Sequence, residues 1–187
     1  MTQPTLDAER VTLVPAVLAD LDSLWEIWRV PDVRRYLFDD QPVERERARE
    51  VLEGCLGEAP KGLGLWTVRE HATEAVRGCA GLVPVSWVEY DPSGAGLVEP
   101  IVALAPAVWH RGYAIESLAR LVRYAFDGLD LARIAGATDV PNEASHRMLI
   151  RAGFVPQREC QGPHYRMRTY LLERPNVGRL ERPHRRA

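Results

Sequence analysis

The spacing of apolar residues is helical in the first third of the chain. Leu21, Leu24, Trp25 and Trp28 recur at intervals of three and four residues, which places them on one face of a helix. The pattern predicts helices over residues 21–30, 31–38 and 43–56. We expect Asp20 to be the N-cap of the first helix and Pro31 to end it.

The apolar pattern changes from residue 64 onward, where alternation becomes the main signal. It predicts strands over residues 10–16, 64–70, 77–90, 97–106, 133–139 and 164–172, with a turn at 71–75 and a loop at 91–96. Pro100 interrupts the strand over 97–106, and a bulge is expected there because proline cannot donate a ladder hydrogen bond. Residues 155–163 show no clear pattern.

Two more helices are predicted among the later strands, over residues 113–126 and 141–153. Strands and helices are therefore mixed along a chain of 187 residues, a length typical of one domain. We predict a single α+β domain over residues 1–173. Residues 174–187 contain prolines and several arginines but few apolar residues, so a flexible basic tail is expected.

Composition and charge exclude several classes of function. A net charge of −2 gives no general attraction to nucleic acid or to an anionic membrane. The three cysteines, Cys55, Cys79 and Cys160, lack the spacing of a metal site and indicate reduced thiols. The N-terminus is polar and no apolar run reaches the ~20 residues that span a bilayer. We therefore expect a cytoplasmic protein without a metal.

The segment "HRGYAI" at the start of the helix over 113–126 could bind an anion. The first turn of a helix has free N–H groups and a partial positive charge. Gly112 and Ala114 have minimal side chains, so a phosphate could approach the amides of residues 111–115, and Arg111 adds a cation. A short glycine motif is weak by itself, and an ordinary turn before a core helix is the better explanation of this segment alone.

A second segment, "PNEASHRMLIRAGF", begins another helix and places Asn142 30 residues after Gly112. Gly153 suits the end of that helix and Pro141 suits its start. Asn142 and Ser145 remain, either as caps or as polar groups that contact a ligand.

Together, in this order and at this spacing, the two segments resemble the acetyl-CoA-binding core of the GNAT superfamily of N-acetyltransferases. The similarity is strongest to the RimJ/RimL-like branch, which acetylates protein N-termini and small amines, and it covers about Leu6 to Leu172. The resemblance implies a GNAT fold, with a mixed, mostly antiparallel central sheet flanked by helices. It implies acetyl-CoA as the acetyl donor and direct transfer to an amine in a ternary complex.

The resemblance also implies roles for individual residues. Arg111, Gly112, Tyr113 and Ala114 match the loop that wraps the CoA pyrophosphate, while Trp109 replaces the leading Gln or Arg of that motif. Asn142 matches the residue whose side chain binds the pantetheine arm. The residues expected to contact the cofactor are Val102, Trp109, His110, Arg111, Gly112, Tyr113, Ala114, Ile115, Asn142 and Ser145.

Candidate catalytic residues follow from the chemistry of amine acetylation. The reaction needs a neutral amine, a donor for the oxyanion and a proton for the leaving thiolate. Glu99 is the candidate base, and the N–H of Val102 is the candidate oxyanion donor. The family often has a tyrosine as the acid, but the matching residue is Leu149, so Ser145 or a water is the remaining candidate.

The acceptor site is the least defined part of the sequence. Tyr36, Trp87 and Glu89 lie in segments that flank the acceptor in this branch, and they are our candidates for substrate binding. The acceptor is a protein N-terminus or a small-molecule amine, and the chain could be a monomer or a homodimer. A non-catalytic acyl-CoA-binding module is the alternative. A general nucleotide binder is disfavoured because the sequence has no P-loop motif.

Overall fold

The described part of the chain forms two antiparallel sheets. In the computed structural model, which describes residues 3–174, the first sheet has the strand order β1-β2-β3-β4-β5. Its strands are β1 (Leu6–Asp7), β2 (Val11–Pro15), β3 (Gly64–Glu70), β4 (Val76–Pro84) and β5 (Val98–Leu104). The second sheet has the order β6-β8-β7, formed by β6 (Arg133–Asp139), β7 (Val155–Gln161) and β8 (Arg166–Glu173).

Within residues 3–174, five α-helices flank the sheets. They are α1 (Leu21–Trp28), α2 (Pro31–Leu37), α3 (Arg45–Leu56), α4 (Tyr113–Arg123) and α5 (Glu143–Arg151), and a π-helical turn, Tyr124–Gly128, extends α4. The predicted α+β class with a mostly antiparallel sheet is confirmed.

Asp20 precedes α1 as predicted, but its carboxylate accepts the N–H of Val17 at 2.9 Å rather than an amide of α1. It therefore caps the 3-10 turn before α1.

The first sheet is covered by an apolar core on each of its two faces. On one face, Leu13, Trp66 and Leu82 pack against Leu118 and Leu121 of α4. On the other face, Cys79 and Leu65 pack against Leu24, Trp28 and Leu52 from α1 and α3, and the indole Nε1 of Trp28 donates to Cys79 Sγ at 3.4 Å. No helix among residues 3–174 is long and apolar enough to cross a membrane.

Residue Arg174 ends the described chain and is bound to the domain. Its guanidinium donates to Asp130 Oδ1 at 2.8 Å and to the carbonyl of Phe126. The predicted tail began at residue 174, and its other residues, 175–187, lie outside the described residues. The extent of the domain remains a prediction.

Strands β5 and β6 are neighbours without a hydrogen-bonded ladder between them. The gap separates the two sheets, and α4 connects the two strands. Pro100 lies in β5, opposite Leu82 of β4, in a ladder of constant register, so the predicted bulge at Pro100 is wrong. Register shifts lie instead between β3 and β4, after Val68, and between β7 and β8, after Pro156.

The position of Pro100 follows from its place on an edge strand. β5 is the last strand of its sheet, and proline fits an edge when its nitrogen faces away from the paired strand. Backbone N–H groups two residues apart in an antiparallel strand point the same way. The N–H of Val102 therefore points into the gap between β5 and β6, which we call the cleft.

The segment between β4 and β5, residues 85–97, crosses the cleft on the side opposite α4, and we call it the connector. The sequence predicted a strand up to residue 90, but β4 ends at Pro84. Two buried carboxylates hold the connector. Glu99 of the first sheet accepts from Trp87 Nε1 at 2.7 Å. Asp91, in the connector itself, accepts from Arg158 Nε at 2.8 Å and Thr169 Oγ1 at 3.1 Å, both on the second sheet.

We predict that Asp91→Asn lowers the free energy of unfolding by about 3 kcal/mol. The Asp91 side chain is fully buried and accepts from Ser93, Arg158 and Thr169, and a hydrogen bond to a charged group contributes about 1.5–3 kcal/mol. Denaturant unfolding would measure the loss. Glu159→Gln removes a carboxylate from an exposed ion pair on β7 and β8 and should cost less than about 1 kcal/mol. Equal losses in the two variants would contradict the role of Asp91.

Candidate active site

The start of α4 has the geometry of an anion-binding loop. Gly112 is the N-cap with φ +84°, and no side chain caps the first turn. A Cβ at Gly112 would meet only the guanidinium of Arg10, at 3.0 Å. His110 also has a positive φ, of 61°. The amides at the start of α4 therefore face an open surface, and a phosphate group fits there without displacing the backbone.

Glu70, a buried carboxylate at the end of β3, contacts the residues of this loop. It accepts from Tyr113 Oη at 2.7 Å and from Arg77 Nε at 2.8 Å, and Arg111 Nη2 lies 3.1 Å away. These donors, with Tyr113 first, lower the pKa of Glu70 from 4.5 to about 2. The same hydrogen bond raises the pKa of Tyr113. Glu70 is thus an anion that fixes the first helical residue.

Two guanidinium groups lie against the ring of Tyr113. The Arg10 and Arg111 carbons Cζ are 5.2 and 5.0 Å from the ring centroid, within the range of cation–π contacts. Arg10 also donates to the carbonyl of Arg111 at 2.8 Å and pairs with Glu116 at 2.7 Å. The side chain of Arg111 is about half exposed, at 51%, so it can still reach a bound anion.

The remaining residues of the loop lie at the mouth of the cleft. Trp109 is exposed, and its Nε1 donates to the carbonyl of Leu104 at the end of β5, at 2.8 Å. Ala114 and Ile115 are partly buried and pack on the α4 side of the core, as does Val102. The structure therefore brings together the predicted loop residues 109–115 and Val102.

Glu99 lies in β5 but is turned toward the connector. Its Oε1 accepts from the N–H and the hydroxyl of Ser86, at 3.1 and 3.2 Å, and its Oε2 accepts from Trp87. Burial raises the pKa of Glu99, while these three donors oppose the shift. The structure therefore gives Glu99 a clear structural contact, and its catalytic role remains a prediction.

The second predicted segment begins at Asn142, the N-cap of α5. Its Oδ1 accepts from the amide of Ser145 at 3.2 Å, so the capping interpretation is confirmed. The amide Nδ2 of Asn142 is the group that remains for a ligand. Leu149, one turn after Ser145, is buried in the core.

The three predicted acceptor residues lie on the connector side of the cleft. Tyr36 Oη donates to the carbonyl of Pro141 at 3.3 Å, which brings α2 against the start of α5. Trp87 is buried in the wall of a cavity of about 380 Å³ between the connector and the second sheet. Glu89 is exposed and hydrogen-bonds Tyr90, which raises the pKa of that tyrosine.

Asp139 and Glu70 lie beside the candidate site and were not predicted from the sequence. Asp139 is the last residue of β6, and burial, followed by the nearby charge of Asp39, raises its pKa to about 6. A polar residue at the end of a strand beside a candidate binding segment was the available signal for Asp139. No comparable signal existed for Glu70, since its partners come from distant parts of the chain.

Residues 3–174 contain no cluster of three or more His, Cys, Asp or Glu side chains that could hold a metal ion.

Comparison with known families identifies the domain. Residues 10–155 match the family model described as "Acetyltransferase (GNAT) domain". The chain belongs to the GNAT acetyltransferase family. The fold and enzyme class that the sequence predicted are therefore confirmed, while the RimJ/RimL-like branch stays a prediction.

Individual GNAT proteins show the range of the family. The chain is 30% identical over 157 residues to FsC-acetyl coenzyme A-N(2)-transacetylase of Aspergillus fumigatus, covering 82% of this chain and 66% of that relative. Spermidine N-acetyltransferase from Vibrio cholerae, solved with CoA and spermine, superposes with a TM-score of 0.72 at 16% identity, covering 90% of this chain and 98% of that one. RimL, the ribosomal L7/L12 alpha-N-protein acetyltransferase, was solved with coenzyme A. It superposes with a TM-score of 0.73 at 15% identity and covers 91% of this chain and 98% of that one.

We predict that Glu70→Gln lowers the free energy of unfolding at pH 7. We also expect this free energy to fall less steeply in the variant as the pH is lowered. A carboxylate whose pKa falls from 4.5 to about 2 on folding contributes stability above pH 4.5, and this contribution is lost as the pH falls toward 2. Urea unfolding between pH 7 and pH 2 would show a shallower acid loss in the variant. Glu50→Gln, in an exposed helical pair with Arg47, serves as the control and should follow the parent. A parent-like acid loss in Glu70→Gln would contradict the assignment.

Proposed function

We propose that this acetyltransferase moves the acetyl group of acetyl-CoA to a primary amine by direct attack in a ternary complex. The single observation that carries the proposal is the uncapped start of α4, with its left-handed Gly112, at the mouth of the cleft. The pyrophosphate of CoA would bind the amides of residues 111–115, with Arg111 beside it. The RimJ/RimL-like branch, a cytoplasmic location, and a monomer or homodimer are part of the same proposal.

The cleft would then position the thioester. The N–H of Val102 points into the cleft and can donate to the carbonyl oxygen as it becomes an oxyanion. The amine nitrogen attacks the thioester carbon, a C–N bond forms, the C–S bond breaks, and the proton that the nitrogen loses passes to the CoA thiolate. Ser145, at the start of α5, is the candidate that would donate a hydrogen bond to the sulfur.

The acceptor amine must lose a proton because amines of this kind are mostly protonated at neutral pH. Glu99 is the base that the sequence predicts, and its burial favours a carboxylate that binds protons more readily than usual. It would act only after releasing one of its three donors.

Two acceptor classes remain in this proposal, a protein N-terminus and a small-molecule amine. RimL and spermidine N-acetyltransferase, which share the fold, are examples of the two. A non-catalytic acyl-CoA-binding module is the second candidate, favoured by Leu149 at the place of the usual acid and by the occupied carboxylate of Glu99.

A thiol-release assay with acetyl-CoA would test the proposed function. The panel should contain spermidine, free amino acids, aminoglycosides and peptides with different N-termini, and the acetylated product should be identified by mass spectrometry. We expect turnover with at least one amine. Binding of CoA without turnover on the whole panel would favour the non-catalytic module.

We predict that Gly112→Val abolishes measurable CoA binding. The branched side chain would occupy the path of the pyrophosphate and strain a residue with φ +84°. Gly96→Val is a matched control, because Gly96 also has a positive φ, of 73°, and a Cβ there meets open space. Calorimetry should show lost affinity only in the Gly112 variant. Equal affinity in the parent and Gly112→Val would refute the pyrophosphate site.

We predict that Asn142→Asp and Asn142→Ala both weaken CoA binding, by about 1–3 kcal/mol. Aspartate keeps the oxygen that caps α5 but lacks the amide donor, whereas alanine loses both. Only the alanine variant should also lose about 1 kcal/mol of folding stability. If the aspartate variant binds CoA like the parent, Asn142 is a cap and does not contact the pantetheine arm.

A further inference from the structure

Asp139 ends the strand that forms one wall of the cleft, on the acceptor side. Alternation along β6 places Asp139 on the same face as Ala135 and Ala137, which pack with the connector residue Trp87. The opposite face of β6 packs against α5. Asp139 is half-buried, and no hydrogen bond or ion pair reaches its carboxylate from the described part of the chain.

Aromatic residues from two other elements close over this end of β6. The hydroxyl of Tyr36 bonds to Pro141, two residues after Asp139. The Tyr36 ring lies 5.9 Å from the ring of Tyr165, which is 4.4 Å from His164 in the turn between β7 and β8. Helix α2 and the β7–β8 turn therefore both lie next to this end of β6.

The backbone of Asp139 connects it to the proposed cofactor site. Its carbonyl accepts the N–H of Asn142 at 2.8 Å, in the turn that begins α5. A ligand bound to the Asn142 side chain thus lies one turn of backbone away from Asp139. The residue stands between the proposed pantetheine arm and the acceptor side of the cleft.

Glu99 differs from Asp139 in the state of its carboxylate. Both Glu99 oxygens are occupied by Ser86 and Trp87, and breaking either contact would release the connector. A base must have a free lone pair within reach of the amine. Asp139 has free lone pairs in the structure as it stands.

Building on the proposed function, we infer that Asp139 accepts the proton of the acceptor ammonium before the amine attacks acetyl-CoA. The proton moves from the ammonium nitrogen to a carboxylate oxygen of Asp139, leaving a neutral amine and a carboxylic acid. The amine then attacks as described above, and the carboxylic acid returns its proton to solvent after product release. Glu99 is in this case a positioning residue that holds the connector.

The electrostatic surroundings of Asp139 suit this role. Burial and the negative charge of Asp39, after α2, raise its pKa to about 6, and His164 of the β7–β8 turn opposes the shift. Two charged residues of the adjoining elements are paired elsewhere, Arg166 of β8 with Glu159 and Glu143 of α5 with Arg147. A base with a pKa near 6 is ionised at neutral pH and still binds a proton well.

The test is the pH dependence of kcat/KM on an amine found by the thiol-release assay. The parent should lose activity below about pH 6. Asp139→Asn should lower kcat/KM by on the order of 10²–10⁴, and its residual rate should rise only with the ionisation of the amine. Asp139→Glu should keep this loss of activity at low pH, which we call the acid limb. Calorimetry should show unchanged CoA affinity in both variants, which verifies that they are folded.

Three further variants separate the possible outcomes. Asp39→Asn removes a like charge, so the acid limb should move to lower pH. Asp22→Asn, an exposed residue of α1 paired with Arg45, should match the parent. Glu99→Gln should slow the enzyme and keep the acid limb. If Glu99→Gln loses the limb and Asp139→Asn keeps it, the inference is overturned and Glu99 is the base. A parent that acetylates no amine overturns the proposed function together with this inference.

Discussion

The missing ladder between β5 and β6 is the constraint on which the rest of the structure depends. Backbone donors and acceptors inside a protein must find partners, yet these two neighbouring strands do not pair with each other. The groups that face the cleft, among them the N–H of Val102, are left for a ligand or for water. A sheet that is interrupted in this way provides directional hydrogen-bond donors in a half-buried place, which a continuous sheet could not do.

Keeping the sheets apart at a fixed distance requires supports on both sides of the cleft. On one side, Glu70 ties the start of α4 to the first sheet through Tyr113 and Arg111. On the other side, the connector is fastened to the first sheet by Glu99 and to the second by Asp91. Each support is a buried carboxylate with several donors, an arrangement that is directional and therefore sets position better than apolar contact does.

The sequence predicted most helices, most strands, the family and the loop at Gly112, because these depend on local periodicity and on residues close together in the chain. It could not predict the environment of Glu99, since the donors come from a connector whose path is set by tertiary contacts. The bulge at Pro100 was wrong for the same reason: nothing local shows that β5 is an edge strand. Strand β7, whose residues are almost all exposed, lacks the alternation that would have revealed it.

Pro100 also has a consequence for the chain before any ligand binds. An unpaired strand edge inside a cleft could pair with β6 and seal the gap, or pair with an edge of another molecule and start aggregation. Proline removes one of the donors that either ladder would need, and its ring obstructs close approach of a second strand. One imino acid in β5 therefore disfavours both pairings.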